Sequence, residues 1–314
     1  MKIDPLYEAK VDLLIRVLPH VAEENVFALK GGTAINLFIW DMPRLSVDID
    51  LTYTRLDDRE TALTNIALGL GRIKTRLEQA FPGIDVRPIT QSDGTEAKLL
   101  IMEARPVPAE IIIEVNTTLR GEIWPSRVLP LSGAVENQFK KFAAIKVTSH
   151  QELFGGKICA ALDRQHPRDL FDVHCLFEME GLTEEVKNGF IAVLLGGGRP
   201  INEIIRPNFL DQREVFEQKF RGMTLKPFDY KQFEETRQRL VHEISAALTD
   251  QDKAFLISFK KGEPDWDLFP VPGLKDMPAI RWKLQNIQKL IRQNPDKHKD
   301  LLKALEDKLN GTAS

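Results

Sequence analysis

The periodicity of apolar residues changes character once along this chain, near His150, and no other feature limits the fold as much. Before that point short apolar runs bounded by turn residues alternate with helical stretches. After it strand signals vanish, and long segments rich in Leu, Glu, Lys, Ala and Gln follow, broken at "GGGRP", "IRPN" and "KPFD". Such a chain reads as an α/β (α+β) domain with a mixed sheet over residues 1–149, then a mainly helical domain over 150–314. With 314 residues and 43% hydrophobic content, both can be filled without disulfides or a structural metal.

In the first half, an Asp4-Pro5 start signal and apolar residues at Leu6, Val11, Leu14, Ile15, Leu18 and Val21 predict a helix before Asn25. "VFAL" reads as a short buried strand, "TAINLFIW" as a helix, "DMPRLS" as a loop, and "VDIDLTY" as a strand with alternating faces. Helical spacing over Glu60–Phe81 stops at "PG", and three strand-like segments follow: "IDVRPIT", "AKLLIMEAR" and "AEIIIEVNTT". The Pro-rich stretch Lys260–Pro278 reads as a connection carrying two aromatic anchors, Trp266 and Phe269.

Residues two apart on a strand share a face, so Asp48 and Asp50 set two carboxylates side by side. Like charges so placed are tolerated in water or against a cation, and oxygen donors at this spacing suit Mg²⁺. Read alone, the pair also describes a solvated strand face. In "KGGT", Gly31 and Gly32 follow a strand and Thr33 opens a helix, a junction whose unused backbone N–H groups receive anions. A tight turn capped by Thr33 fits the same letters. Glu114 lies within "IIIEV", a segment expected to be buried, so it needs a partner: a core arginine, or a site shared with Asp48 and Asp50.

In the second half, Lys157 and Arg164 stand seven apart on one helix face, and after the restart at Pro167, Asp169 and Asp172 share another. A helix pair joined by structural ion pairs is the plain reading of that segment.

The 43 basic and 46 acidic residues leave a net charge of −3, which gives no global attraction to nucleic acid or membrane. No charged-then-apolar leader follows Met1 and no apolar run can span a bilayer, so a cytoplasmic location without membrane association is expected. Cys159 and Cys175 have no CxxC spacing and read as small buried residues, and the six histidines show no metal-binding spacing.

The order GG[ST], helix, D-h-D on a strand and h-E-h on a later strand, where h is apolar, resembles the signature of the nucleotidyltransferase superfamily built on the DNA polymerase β-like fold. With "KGGTAINLFIW", "PRLSVDIDLTY", "IIIEVN" and "GGKICAALDRQHPRDLFDV" in sequence, the chain resembles the AbiEii/AbiGii toxin family, to which MenT-type toxins belong, over most of its length. The resemblance implies a nucleotidyltransferase toxin of a bacterial toxin–antitoxin or phage-defence pair, using an NTP as donor and Mg²⁺, with a cognate antitoxin. It implies tRNA as acceptor, with transfer blocking translation and growth.

By motif, Gly31, Gly32 and Thr33 correspond to the phosphate loop, Asp48 and Asp50 to the metal ligands with Glu114 as third carboxylate, and Lys157 to a basic residue beside the phosphates. Asp172 and its neighbour Asp169 close that cluster, with Arg44, Ser46 and Arg164 as further nucleotide-binding candidates. For RNA, a local basic surface is expected over Arg281–Lys303, which holds seven basic residues and two acids, together with Lys140, Lys141 and Lys146. Two other functions fit the same letters: transfer to a protein hydroxyl or small molecule, and a non-catalytic module that sequesters a partner.

Overall fold

The computed structural model describes residues 5–90, 94–104 and 106–311. Asp4 of the first helix signal and Arg105, at the end of the second strand-like segment, lie outside them. Contacts divide the chain into two compact units. The expected cut after residue 149 runs once along the sequence, whereas the contacts group Phe220–Pro227 with Met1–Ser149 in the first unit.

The first unit runs α1 (Pro5–Ala22), β1 (Phe27–Lys30), α2 (Gly31–Ala34), a π-helical turn (Ile35–Ile39), β2 (Asp48–Tyr53) and α3 (Arg59–Ala80). Then follow β3 (Ile84–Thr90), β4 (Glu96–Glu103), β5 (Ala109–Asn116), β6 (Arg127–Pro130), α4 (Gly133–Phe139) and β7 (Ala144–Val147). The strands form one mixed sheet in the order β3-β4-β5-β2-β1-β7-β6. β2 runs parallel to β5 and β1 to β7, and the other neighbours are antiparallel.

Alternation decides the faces. Ile49 and Leu51 on β2, Ile111, Ile113 and Val115 on β5, and Leu99 and Ile101 on β4 are buried, and β5 and β4 pack on α1 and α3 respectively. The opposite face of the same strands carries Asp48, Asp50, Glu114 and Lys98, all partly exposed. One such face per strand is what a period of two dictates.

The second unit comprises α5 (His150–Asp163), α6 (Pro167–Met179), α7 (Glu184–Gly196), α8 (Ile201–Ile205), α9 (Arg213–Lys219), α10 (Tyr230–Ala247), α11 (Asp250–Lys260), α12 (Pro278–Gln293) and α13 (Pro295–Leu309). α5 and α7 cross with their backbones in contact: a Cβ on Gly155 would lie 2.2 Å from the Gly189 carbonyl carbon, and one on Gly189 would lie 1.9 Å from Gln151 O. Gly155 is therefore a packing glycine. In the connection between α11 and α12, Phe269 stacks on Phe255 with centroids 5.0 Å apart, and Trp266 tilts against the same ring at 5.6 Å. Both expected anchors hold that segment to α11.

Candidate active site

The two glycines sit inside the first helical turn. Lys30 is the residue before the helix and makes no capping bond, Gly31 has φ +73°, and the helix begins at Gly31. The left-handed backbone at Gly31 excludes side chains on conformational grounds. An added side chain would also force its neighbours to shift: a Cβ there would lie 2.5 Å from Asp50 Oδ2, and one on Gly32 would lie 2.5 Å from Arg44 Nη2 and 3.0 Å from Ser46 Oγ. The helix start, the second aspartate, Arg44 and Ser46 thus meet at one place because two residues have no side chain.

Thr33 does not cap the turn. Its hydroxyl, 1% exposed, donates to Asp48 O at 2.5 Å and lies 3.0 Å from Ser46 Oγ, tying the helix to the first residue of β2. What this junction offers an anion is therefore backbone N–H, with the threonine side chain already committed.

Asn36 went unnoticed in the sequence. Fully buried in the π turn, it donates from Nδ2 to Gly32 O at 2.9 Å and accepts from the Arg44 amide at 3.3 Å. A π turn shifts the hydrogen-bonding step by one residue, and such turns recur at functional sites. Here the shift is seen in Trp40 N donating to Ile35 O at 2.9 Å. The Arg44 guanidinium is buried and donates to Leu45 O at 2.9 Å. Its segment is pinned by Phe220–Pro227: Leu45 N donates to Met223 O at 2.9 Å, and Leu225 N to Pro43 O at 3.0 Å.

Strand register aligns a row of charges across the open sheet face. Lys98 on β4 opposes Glu114 on β5, Glu114 opposes Asp50 on β2, and Asp50 opposes Lys30 on β1, while Asp48 opposes Ile112. Partners in register point to the same face, so Glu114 does stand beside Asp50. The expectation that it is buried is corrected. Its side chain is 45% exposed and its partner is Lys98, Nζ to Oε1 3.0 Å, with no core arginine involved. Lys98 and Lys30 escaped the sequence reading because they reach this row only through strand pairing.

Asp48 and Asp50 form a hard, all-oxygen donor pair on one face, with Asp50 packed against Gly31, and such a pair fits Mg²⁺. Among the described residues no three of His, Cys, Asp and Glu gather into a preformed cage.

In the second unit, Lys157 of α5 lies 2.8 Å from Asp169 Oδ1 and 2.9 Å from Asp172 Oδ2 of α6, with all three side chains buried. Arg164, just beyond α5, joins Asp169 through Nε at 2.5 Å and Nη2 at 3.0 Å, and its side chain is 65% exposed. Burial alone would push the Asp169 carboxyl up. The charge of Lys157 and the hydrogen bond and charge of Arg164 overturn that, and hold it well below the usual carboxylate range. The four residues grouped in the sequence meet in the structure, and Asp172, 0% exposed, lies against the Lys157 ammonium.

The expected basic surface divides. Lys283 is buried and donates to Leu194 O, Gly197 O and Arg199 O at 3.3, 2.7 and 2.7 Å, so it caps the carbonyl end of α7. Lys141 reaches Asp12, and Lys146 donates to Asn25 O at 2.8 Å. Arg281, Lys289, Arg292, Lys297, Lys299 and Lys303 remain exposed. Cys175 is buried, Cys159 half-buried, and both are free. Among the described residues no helix is long and apolar enough to cross a membrane.

The sequence profile of a family described as "Nucleotidyl transferase AbiEii toxin, Type IV TA system" matches residues 12–286. Among solved structures, the chain is similar to MenT4, a nucleotidyltransferase toxin from Mycobacterium tuberculosis H37Rv. The TM-score is 0.56 at 14% identity, covering 91% of this chain and 93% of that one. At this identity the likeness speaks for the fold. A search of curated proteins found no match.

Proposed function

The chain belongs to the nucleotidyl transferase AbiEii toxin family of type IV toxin–antitoxin systems, and on that premise we propose that it transfers a nucleotidyl group from an NTP to the 3′ end of tRNA, with Mg²⁺ held at Asp48 and Asp50. Modified tRNA then fails in translation, and growth stops until a cognate antitoxin intervenes. One observation carries the reading: the glycine junction abuts Asp50, Arg44 and Ser46 so closely that the helix start and the Asp50 carboxylate meet at a single place.

In the reaction, the acceptor hydroxyl oxygen bonds to the α-phosphorus and gives up its proton to water, while the bond from that phosphorus to the oxygen bridging to the β-phosphate breaks and pyrophosphate leaves with the electron pair. Bound at the two aspartates, Mg²⁺ supplies Lewis-acid stabilisation of charge on the phosphate oxygens. The N–H groups of Gly32 and Thr33 receive the β and γ phosphates, while the Thr33 hydroxyl keeps the helix start fixed to β2. Arg44 and Ser46 line the cradle at Gly32, and Asn36 holds the Gly32 peptide in orientation. Glu114, released from Lys98, is the third carboxylate of the acidic row.

In the helical unit, the charge of Lys157 is spent on Asp169 and Asp172, so its role is to position. Arg164, held by Asp169 and turned to solvent, is the phosphate contact of that cluster.

The test incubates the protein with each α-labelled NTP, Mg²⁺ and total RNA, alongside an Asp48→Ala variant with an unchanged melting transition. Label is expected in tRNA with the parent and none with the variant. Label in the protein fraction would move the acceptor to a protein hydroxyl. No transfer with any of the four NTPs, or full toxicity of Asp48→Ala in cells, would overturn the reading.

A further inference from the structure

The exposed face of α12 carries cations that the structure leaves without acids. Its sixteen residues, "PAIRWKLQNIQKLIRQ", contain four basic side chains and no carboxylate. Helical geometry sorts them cleanly. Ala279, Ile280, Lys283 and Ile287 are buried, while Arg281, Trp282, Gln285, Lys289 and Arg292 are exposed. Arg281, Gln285 and Lys289 follow at steps of four, and Arg292 lies three turns from Arg281, about 16 Å along the axis. Trp282 flanks this stripe with its side chain 54% exposed.

Two further facts separate this stripe from an ordinary solvated helix face. Among the described residues none of Arg281, Lys289 and Arg292 makes an ion pair or a side-chain hydrogen bond. Exposed arginines elsewhere in the same unit do: Arg199 bridges Asp163 and Glu203, and Arg239 reaches Glu178 and Glu243. The helix is also held firmly from behind, since Lys283 grips three carbonyls at the end of α7. A rigid helix thus presents aligned cations, side-chain amides and one broad aromatic surface.

We propose that this face of α12 binds RNA, with Arg281, Lys289 and Arg292 on backbone phosphates and Trp282 stacked on an unpaired base. Charge complementarity selects the occupant: a polyanion meets three uncompensated cations and no repelling acid on the helix, and an indole serves any base without regard to sequence. The inference rests on the reading of tRNA as acceptor and assigns that acceptor a surface on α12.

The experiment measures binding of 5′-labelled bulk tRNA to the full chain by fluorescence anisotropy, without NTP, across a series of NaCl concentrations. An Arg281→Gln/Lys289→Gln/Arg292→Gln variant is expected to bind at least about tenfold more weakly, with the slope of log affinity against log salt reduced by about 2 to 3. Trp282→Ala is expected to lose about tenfold with little change in slope. Arg281→Lys/Arg292→Lys should keep the slope. Manganese-dependent binding of NTP, in which none of these residues is placed, should stay at the parental value and reports folding.

Parental tRNA affinity in the triple variant would overturn the inference. So would intact tRNA binding with lost neutralisation by the antitoxin, which would make the face a protein interface. If the parent transfers label to tRNA while the α12 variants behave like it, this inference alone falls. If the parent binds no tRNA, the acceptor reading falls with it.

Discussion

Replacing Gly31 by alanine tests the central geometry most directly, because two separable effects meet at that residue. The backbone effect is the left-handed conformation at φ +73°, which costs an L-residue about 1–2 kcal/mol. The contact effect is a methyl group 2.5 Å from Asp50 Oδ2, closer than non-bonded atoms approach, so the carboxylate must swing aside. Gly273 supplies the matched control, having φ +75° and nothing within 4 Å of the added carbon. Gly31→Ala and Gly273→Ala should therefore share the backbone loss in thermal or denaturant unfolding, and differ in chemistry.

With Asp50 as the metal ligand proposed above, a displacement near 1 Å should cost about 100-fold in rate. Single-turnover transfer of labelled nucleotide, on protein shown to be folded, should fall by that factor or more in Gly31→Ala, and by less than about twofold in Gly273→Ala. Equal activity in the two variants would refute the reasoning, since the approach to Asp50 would then have no bearing on the reaction.

Further outcomes follow from the same reading of space and charge. Gly155→Ala drives a methyl group into the backbone of α7 and should lose about 1–3 kcal/mol in denaturant unfolding, whereas Gly156→Ala, with open space around it, should be neutral or gain up to about 1 kcal/mol of helix propensity. Lys157→Met removes the ammonium set between the buried Asp169 and Asp172 and should destabilise by about 3–5 kcal/mol, with Lys157→Met/Asp172→Leu recovering part of the loss. Lys98→Met removes the positive charge beside Glu114 and should tighten Mn²⁺ binding several-fold by electron paramagnetic resonance; unchanged affinity would separate Glu114 from the metal. For Lys283, burial pushes the ammonium down to about 8, against 10.5 for the unfolded chain. The unfolded state then binds more protons between those values, so parental stability should rise with pH across that window relative to Lys283→Met, by about 3 kcal/mol; a flat difference would refute it.

The strands that carry the site were legible because each is long enough to show its period. "VDIDLTY" and "AEIIIEVN" alternate over three or more steps, and the structure forms β2 and β5 there. β6 and β7, "RVLP" and "AIKV", have four residues each and no visible alternation, and α4 between them is barely two turns, so none of the three was read. The π turn was equally hidden, since a helical pattern of apolar residues looks the same whether the backbone bonds step by four or by five. Register was the larger gap: Lys98 and Lys30 join the acidic row through pairing between strands far apart in sequence, a non-local fact that no window reports.

Charge shows the same division more sharply. The sequence states which residues are cations, but a cation's chemistry depends on what already neutralises it. Lys157 and Lys283 look like candidates for phosphate, and the fold commits both: one to two buried carboxylates, the other to the carbonyl end of a helix. Arg281, Lys289 and Arg292 look like routine surface residues, and the fold leaves them on a helix that contains no acid. Counting basic residues therefore misranks them. A lysine gripping three carbonyls must be stripped of those bonds before it can hold a phosphate, a loss of several kcal/mol, whereas an exposed arginine without a partner gives up only water and counterions. On that reckoning the α12 stripe outranks Lys157 and Lys283 as a contact for RNA.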